Sequence, residues 1–134
     1  MIRRYSFALL LLSIFALPTV AQDARAPQQT AAPAESRFEI VQSELAVKFT
    51  ARLDKYTGIT YQLVEKANGD LTWKLIKREE HPGDTSKIPG KVSYQIFTSG
   101  LTLKSTFLIN VNTGATWQLV SDAKDEELSW RPIR

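Results

Sequence analysis

The sequence predicts an all-β fold in which two repeated four-stranded antiparallel meanders form an eight-stranded sandwich or small barrel. Three observations predict it. From Arg37 onward, apolar and polar residues alternate in VKFTARLD, ITYQLV, LTWKLI, KVSYQIF and LKSTFLINV. That period of two marks half-buried strands. No stretch beyond residue 37 keeps helical spacing over three turns. Finally, DKYTGITYQLV at 54–64 returns as NVNTGATWQLV at 110–120, an offset of 56 positions.

The chain opens MIRRYSFALLLLSIFALPTVAQ. A short basic start, an apolar run from Phe7 to Leu17, Pro18 and small residues up to Ala21 follow the layout of a secretory signal peptide. Residues 1–21 are therefore expected to be removed by cleavage after Ala21. The run is shorter than the roughly 20 apolar residues a spanning helix needs, so no stable membrane insertion is expected after cleavage. The protein should be exported, to the periplasm or the extracellular space. Residues 22–36, QDARAPQQTAAPAES, are rich in Ala, Pro and Gln and hold no aromatic residue. Such a segment buries too little apolar surface to offset its ordering entropy and reads as a flexible tether. Residues 37–134 then form a single β domain of two repeats, 37–77 and 91–134, joined by the polar, Pro- and Gly-bearing loop KREEHPGDTSKIPG. There is no cysteine, which excludes disulfides, thiol nucleophiles and a lipid-modified N-terminal Cys.

Within the first repeat the strands should run near 37–43, 46–54, 59–65 and 71–77. In the second they should run near 91–98, 102–110, 115–121 and 127–133. In VKFTARLD one face carries Val47, Phe49, Ala51 and Leu53, and the other carries Lys48, Thr50, Arg52 and Asp54. The first set is expected inside. Lys48, Thr50 and Arg52, with Lys104 and Thr106, are expected outside as a mildly basic face. Where one copy has Phe49 and Ala51, the other has Ser105 and Phe107. This exchange of large and small residues suits two copies feeding one core of fixed volume. Tyr61 and Trp117 are expected on the inner face, and Trp73, Trp117 and Trp130 as core staples. Two repeats are too few to close a propeller, which takes four or more blades. Assembly of several chains into a ring is the alternative.

The repeated stretch is a hairpin turn. Gly58 and Gly114 supply the left-handed conformation that the reversal requires. Asp54, Asn110 and Asn112 can accept hydrogen bonds from nearby backbone amides. NVNTGATW resembles the Asp-box, a hairpin motif of the form S-x-D-x-G-x-T-W found in sialidases and other propeller proteins. Asn110 and Asn112 take the places of its Ser and Asp, while the first copy has Asp54, Tyr56 and, for the Trp, Tyr61. In those families the motif is a turn device remote from catalysis. The resemblance therefore implies a β-meander and no sialidase activity.

The formal charge of +3 falls to +1 once Arg3 and Arg4 are removed with the signal, and the remaining basic residues are scattered among acids. Nucleic-acid binding needs a concentrated basic face, so no nucleic-acid partner is expected. His81 is the sole histidine, in EEHPGD beside Glu79, Glu80 and Asp84, and reads as a solvated loop residue. KDEE at 124–127 reads as a solvated turn. Phosphate-binding and dinucleotide fingerprints are absent, so no cofactor and no catalytic residue are assigned. A carboxylate pair for glycoside hydrolysis is left open, because sequence does not give the separation. The expected function is that of an exported, non-enzymatic binding or interaction protein of the bacterial envelope. Its expected partner is another protein, with a cell-wall or surface polysaccharide as the alternative. An inhibitor or accessory of a secreted hydrolase comes second, and a small glycan-active enzyme third. The candidate binding residues are Lys48, Arg52, Tyr56, His81, Lys104 and Asn112.

Overall fold

A computed structural model describes residues 32–43, 49–85, 88–98, 102–122 and 127–134. Eight strands form one mixed sheet that curls into a nearly closed barrel. They are β1 (Phe38–Gln42), β2 (Thr50–Asp54), β3 (Thr60–Glu65), β4 (Leu71–Arg78), β5 (Tyr94–Thr98), β6 (Thr106–Asn110), β7 (Thr116–Ser121) and β8 (Leu128–Pro132). Leu103–Ser105, expected to be part of a strand, is a 3-10 turn leading into β6. Of the two expected architectures, the single curled sheet is the one adopted.

Strand order is β1-β2-β3-β4-β8-β7-β6-β5. Each half is an antiparallel meander, and the halves join through a parallel β4–β8 pair, with Lys77 beside Ser129 and Arg78 beside Trp130. Registers repeat at the 56-residue offset. Phe38 pairs Asp54 as Tyr94 pairs Asn110, and Arg52 pairs Tyr61 as Leu108 pairs Trp117. Beyond the one-residue insertion, Leu63 pairs Trp73 as Leu119 pairs Trp130.

The two turns are built alike. Gly58 and Gly114 have φ of 72° and 77°, a conformation that costs a residue with a Cβ about 1 kcal/mol or more. Asp54 Oδ1 accepts from the Tyr56 N–H at 3.0 Å, and Asn110 Oδ1 accepts from the Asn112 N–H at 2.9 Å. Thr60 donates its hydroxyl to the Gly58 carbonyl, and Thr116 does the same to Gly114. These bonds satisfy the backbone groups that the reversal takes out of the ladder.

The junction sets which face of each meander points inward. The two meanders are laid out in opposite lateral order, while corresponding strands run in the same direction. Reversing the order without reversing the strands turns a sheet over, because side chains alternate between its faces. We call face A the one carrying Phe38, Arg52, Tyr61, Leu63 and Trp73, and in the second half Tyr94, Leu108, Trp117, Leu119 and Trp130. Face B carries Val41, Ala51, Leu53 and Thr60, and in the second half Phe97, Phe107, Ile109 and Thr116. The first meander turns face B inward: Val41, Phe49, Ala51, Leu53 and Ile76 are buried. The second turns face A inward: Tyr94, Leu108, Trp117, Leu119 and Trp130 are each 0 % exposed.

Four expectations are corrected by this inversion. Tyr61 is half-buried on the outer face and does not staple its hairpin to the core as Trp117 does. Trp73 likewise lies outside, whereas Trp117 and Trp130 are core residues. Thr106, expected outside, is buried. Phe49 and Ala51 line the core while Phe107 lies on the outer face, so the exchange with Ser105 and Phe107 is not a trade of volume inside one core.

The seam between β1 and β5 is closed at one end by Lys55. Its carbonyl accepts from the Ser93 and Tyr94 N–H groups at 2.7 and 2.9 Å, and its own N–H donates to the Arg37 carbonyl. Its ammonium donates to the Ala34 carbonyl, 2.9 Å away, so residues 32–36 lie against this end of the barrel around a Pro33–Ser36 turn. Residues 1–31, which hold the expected signal and most of the expected tether, lie outside the described residues.

Candidate functional site: the outer face of the first meander

A row of four residues crosses the first meander on face A. Ile40 pairs Arg52, Arg52 pairs Tyr61, and Tyr61 pairs Leu75. The matching row in the second half is Ile96, Leu108, Trp117 and Pro132. There Ile96 is 2 % exposed and Leu108 and Trp117 are 0 %. In the first half Phe38 is 54 % exposed, Leu75 53 % and Leu71 66 %. The same ring-bearing pattern is thus a sealed interior in one half and a solvent-facing surface in the other.

Arg52 stands where the interior row has Leu108, and its charge is accommodated by stacking. Its guanidinium lies 4.7 Å from the Tyr61 ring centroid and 5.0 Å from that of Trp73. A weakly hydrated planar cation on two π faces stays close to apolar surface without a counterion. Phe38, Arg52, Asp54, Ile59 and Tyr61 line a concavity of about 520 Å³ at one end of this face. Asp54 closes it through Arg37, which donates from Nε to both carboxylate oxygens at 3.2 Å and from Nη2 to Oδ2 at 2.8 Å. Burial alone would raise the Asp54 pKa. The Arg37 bonds, the Tyr56 N–H and Thr57 outweigh it and hold the carboxyl below its ordinary value.

A second, polar hollow of about 330 Å³ is lined by Arg78, Glu79, Glu80, His81 and Asp84. It is the root of the connecting loop. Asp84 accepts from the Tyr94 hydroxyl at 2.8 Å and from Asn110 Nδ2 at 2.7 Å, with Arg78 at 3.7 Å. Arg78 lies 4.9 Å from the centroids of both Tyr94 and Trp117. Burial and the bond to Asp84 push the Tyr94 phenol up. His81 lies in this loop, half-exposed, with its ring held by neighbouring groups. Its ring edge meets Trp117 at 5.2 Å, Nδ1 accepts from the Gly83 N–H at 2.9 Å, and Nε2 lies 3.1 Å from the Ile133 carbonyl. The Gly83 bond places the ring proton on Nε2, which donates to Ile133. Both nitrogens are thus taken by backbone groups in this conformation. Glu79 pairs with Arg131 at 3.6 Å.

The other candidates are spread over the surface. Tyr56 lies in the first turn under Arg37, whose guanidinium is 5.6 Å from its ring. Asn112 donates from Nδ2 to Ser93 Oγ at 3.0 Å in the second turn. Lys104 is exposed in the 3-10 turn, and its carbonyl accepts from Gln118. Lys48 lies outside the described residues, as does most of the 124–127 turn. In that turn Glu127 pairs with Lys74 at 3.0 Å and Lys77 at 3.6 Å. Of the five candidates among the described residues, only Arg52 belongs to the ring-bearing face. Sequence reasoning missed Phe38, Tyr61, Trp73 and Leu75 because alternation assigns residues to two faces without saying which one is wet.

Among the described residues no cluster of three or more His, Asp or Glu side chains is placed to hold a metal ion, and no helix is long and apolar enough to cross a membrane. Compared with known proteins, the chain matches no family model, no curated sequence and no solved structure.

Proposed function

We propose that this protein is an exported, non-enzymatic binding module that docks another protein on face A of its first meander. One observation carries the reading: positions that form the sealed core of the second meander keep rings and aliphatic side chains in the first, yet lie on the outer face. Phe38, Leu71 and Leu75 are more than half exposed and share this face with Tyr61 and Trp73. A contiguous apolar and aromatic surface of this kind lowers its free energy when a partner covers it. The stacked Arg52 fits the same role, since Trp, Tyr and Arg dominate the energetics of protein interfaces. The engagement of both His81 nitrogens by the backbone supports a binding role over a hydrolytic one.

Site-specific photo-crosslinking in the native host tests this reading. A crosslinker at position 75 should yield discrete protein adducts, and one at Lys66, in the exposed turn between β3 and β4, should yield none. The adducts should disappear when Tyr61→Ser and Trp73→Ser are combined. Adducts that resist protease but vanish on glycan digestion would transfer the reading to a surface polysaccharide. No adduct at position 75 beyond that at position 66 would sink it.

A further inference from the structure

We propose that the concavity at the end of face A receives an acidic side chain of the docked protein, with Arg52 as its partner. This inference rests on the reading of face A as a docking surface and names the chemistry that fills it. Arg52 is half-buried, and the rings of Tyr61 and Trp73 hold its guanidinium. Rings attract a cation but offer it no lone pair. The N–H donors of Arg52 are therefore left for an acceptor. Among the described residues no carboxylate or carbonyl group supplies one. Asp54, the acidic residue of the lining, is already engaged by Arg37. Two arginines against one aspartate leave this end of the face with a net charge of +1.

The chain itself contains a completed version of this arrangement. Arg78 lies 4.9 Å from the centroids of both Tyr94 and Trp117, as Arg52 lies over Tyr61 and Trp73. Asp84 meets Arg78 at 3.7 Å and is supplied by the connecting loop, not by a strand. In the second half an arginine on two rings is thus matched by an acid from a loop. In the first half the arginine on two rings has no such match among the described residues.

The walls determine what accompanies the acid. Phe38 and Ile59 are exposed, and with Tyr61 they form the apolar sides of the concavity. Covering them removes water from around Arg52, and a charge-assisted hydrogen bond is stronger in such surroundings. A carboxylate matches the fork of a guanidinium and brings a single negative charge. A dianionic phosphate would set its second charge against the Asp54 carboxylate. The fitting segment is an Asp or Glu beside an aliphatic or aromatic residue.

A library of random short peptides displayed on phage and selected on the immobilised purified protein tests this. Enriched peptides should carry Asp or Glu beside an aliphatic or aromatic residue. Replacing that acid by its amide in the synthetic peptide should weaken binding about tenfold or more. Arg52→Gln should bind the acidic peptide and its amide alike, and Arg52→Glu should select peptides bearing Lys or Arg instead. An unchanged melting temperature confirms that each variant is folded, and Arg52→Met replaces Arg52→Gln if it is not.

Acidic peptides that bind Arg52→Gln as tightly as the wild type overturn the inference. So does an enriched set without acidic residues, and so does a selection that enriches nothing. In each of these cases protein adducts from a crosslinker at position 75 would leave the docking reading intact, and their absence would remove both.

Discussion

Tyr61 and Trp117 occupy the same place in two meanders of matching register, beside Arg52 and Leu108 respectively. Trp117 is fully buried and donates its indole N–H to the Glu79 carbonyl at 2.9 Å. Tyr61 lies on the outer face under a guanidinium. The hairpin turns are the same in both halves, down to their hydrogen bonds, and the environment is opposite. The difference teaches that a repeated strand pattern specifies a hairpin and leaves open which side of it becomes interior. The substitutions between the copies are read in that light. Leu108 becomes Arg52 and Trp117 becomes Tyr61 where the row meets water.

The sharpest way to break the comparison is to truncate both rings. Trp117→Ala should cost about 3–5 kcal/mol of folding stability in urea titration, from lost burial and the cavity left behind. Tyr61→Ala should cost about 1 kcal/mol or less, because its surroundings are already open to solvent. Equal losses would mean that the two faces are not the inside and outside described above.

The two turn glycines separate the halves on a smaller scale. A Cβ at Gly58 would collide with the Arg78 guanidinium and lie 2.7 Å from the Tyr94 ring, whereas nothing stands within 4 Å of one at Gly114. Gly114→Ala should cost about 1 kcal/mol, from positive φ alone. Gly58→Ala should cost about 3 kcal/mol, since it adds overpacking to the same backbone strain. Matching melting temperatures for the two variants would show that the first turn does not press against the loop root.

The smallest effect is a difference in pH response. Asp54 is a carboxylate held by Arg37, and its counterpart Asn110 carries no charge. The folded-state pKa of Asp54 is lowered from its ordinary 3.8. Its contribution to stability is therefore complete above that value and is lost as pH falls through the lowered one. Between about pH 5 and about pH 2, the wild type should lose more stability than Asp54→Asn. Identical slopes for the two proteins would show that the Arg37 pair does not stabilise the first turn.

Much of the fold was legible in the residues. Period-two alternation located five of the eight strands, because side chains on a strand point to opposite faces in turn, and the repeat placed the others. The 56-residue offset located both turns, because Gly58 and Gly114 supply a conformation that few other residues adopt. It was also legible that Phe49, Ala51 and Leu53 share a side. Which side is wet was not, because the two outcomes differ only in how the halves are joined. The parallel β4–β8 pair forms between strands far apart in sequence and turns the second sheet over relative to the first. That single long-range choice makes Trp117 and Trp130 the core and places Tyr61 and Trp73 on the surface. It also brings Asp84 to Tyr94 and Asn110 and sets His81 on Trp117, contacts that no local pattern encodes.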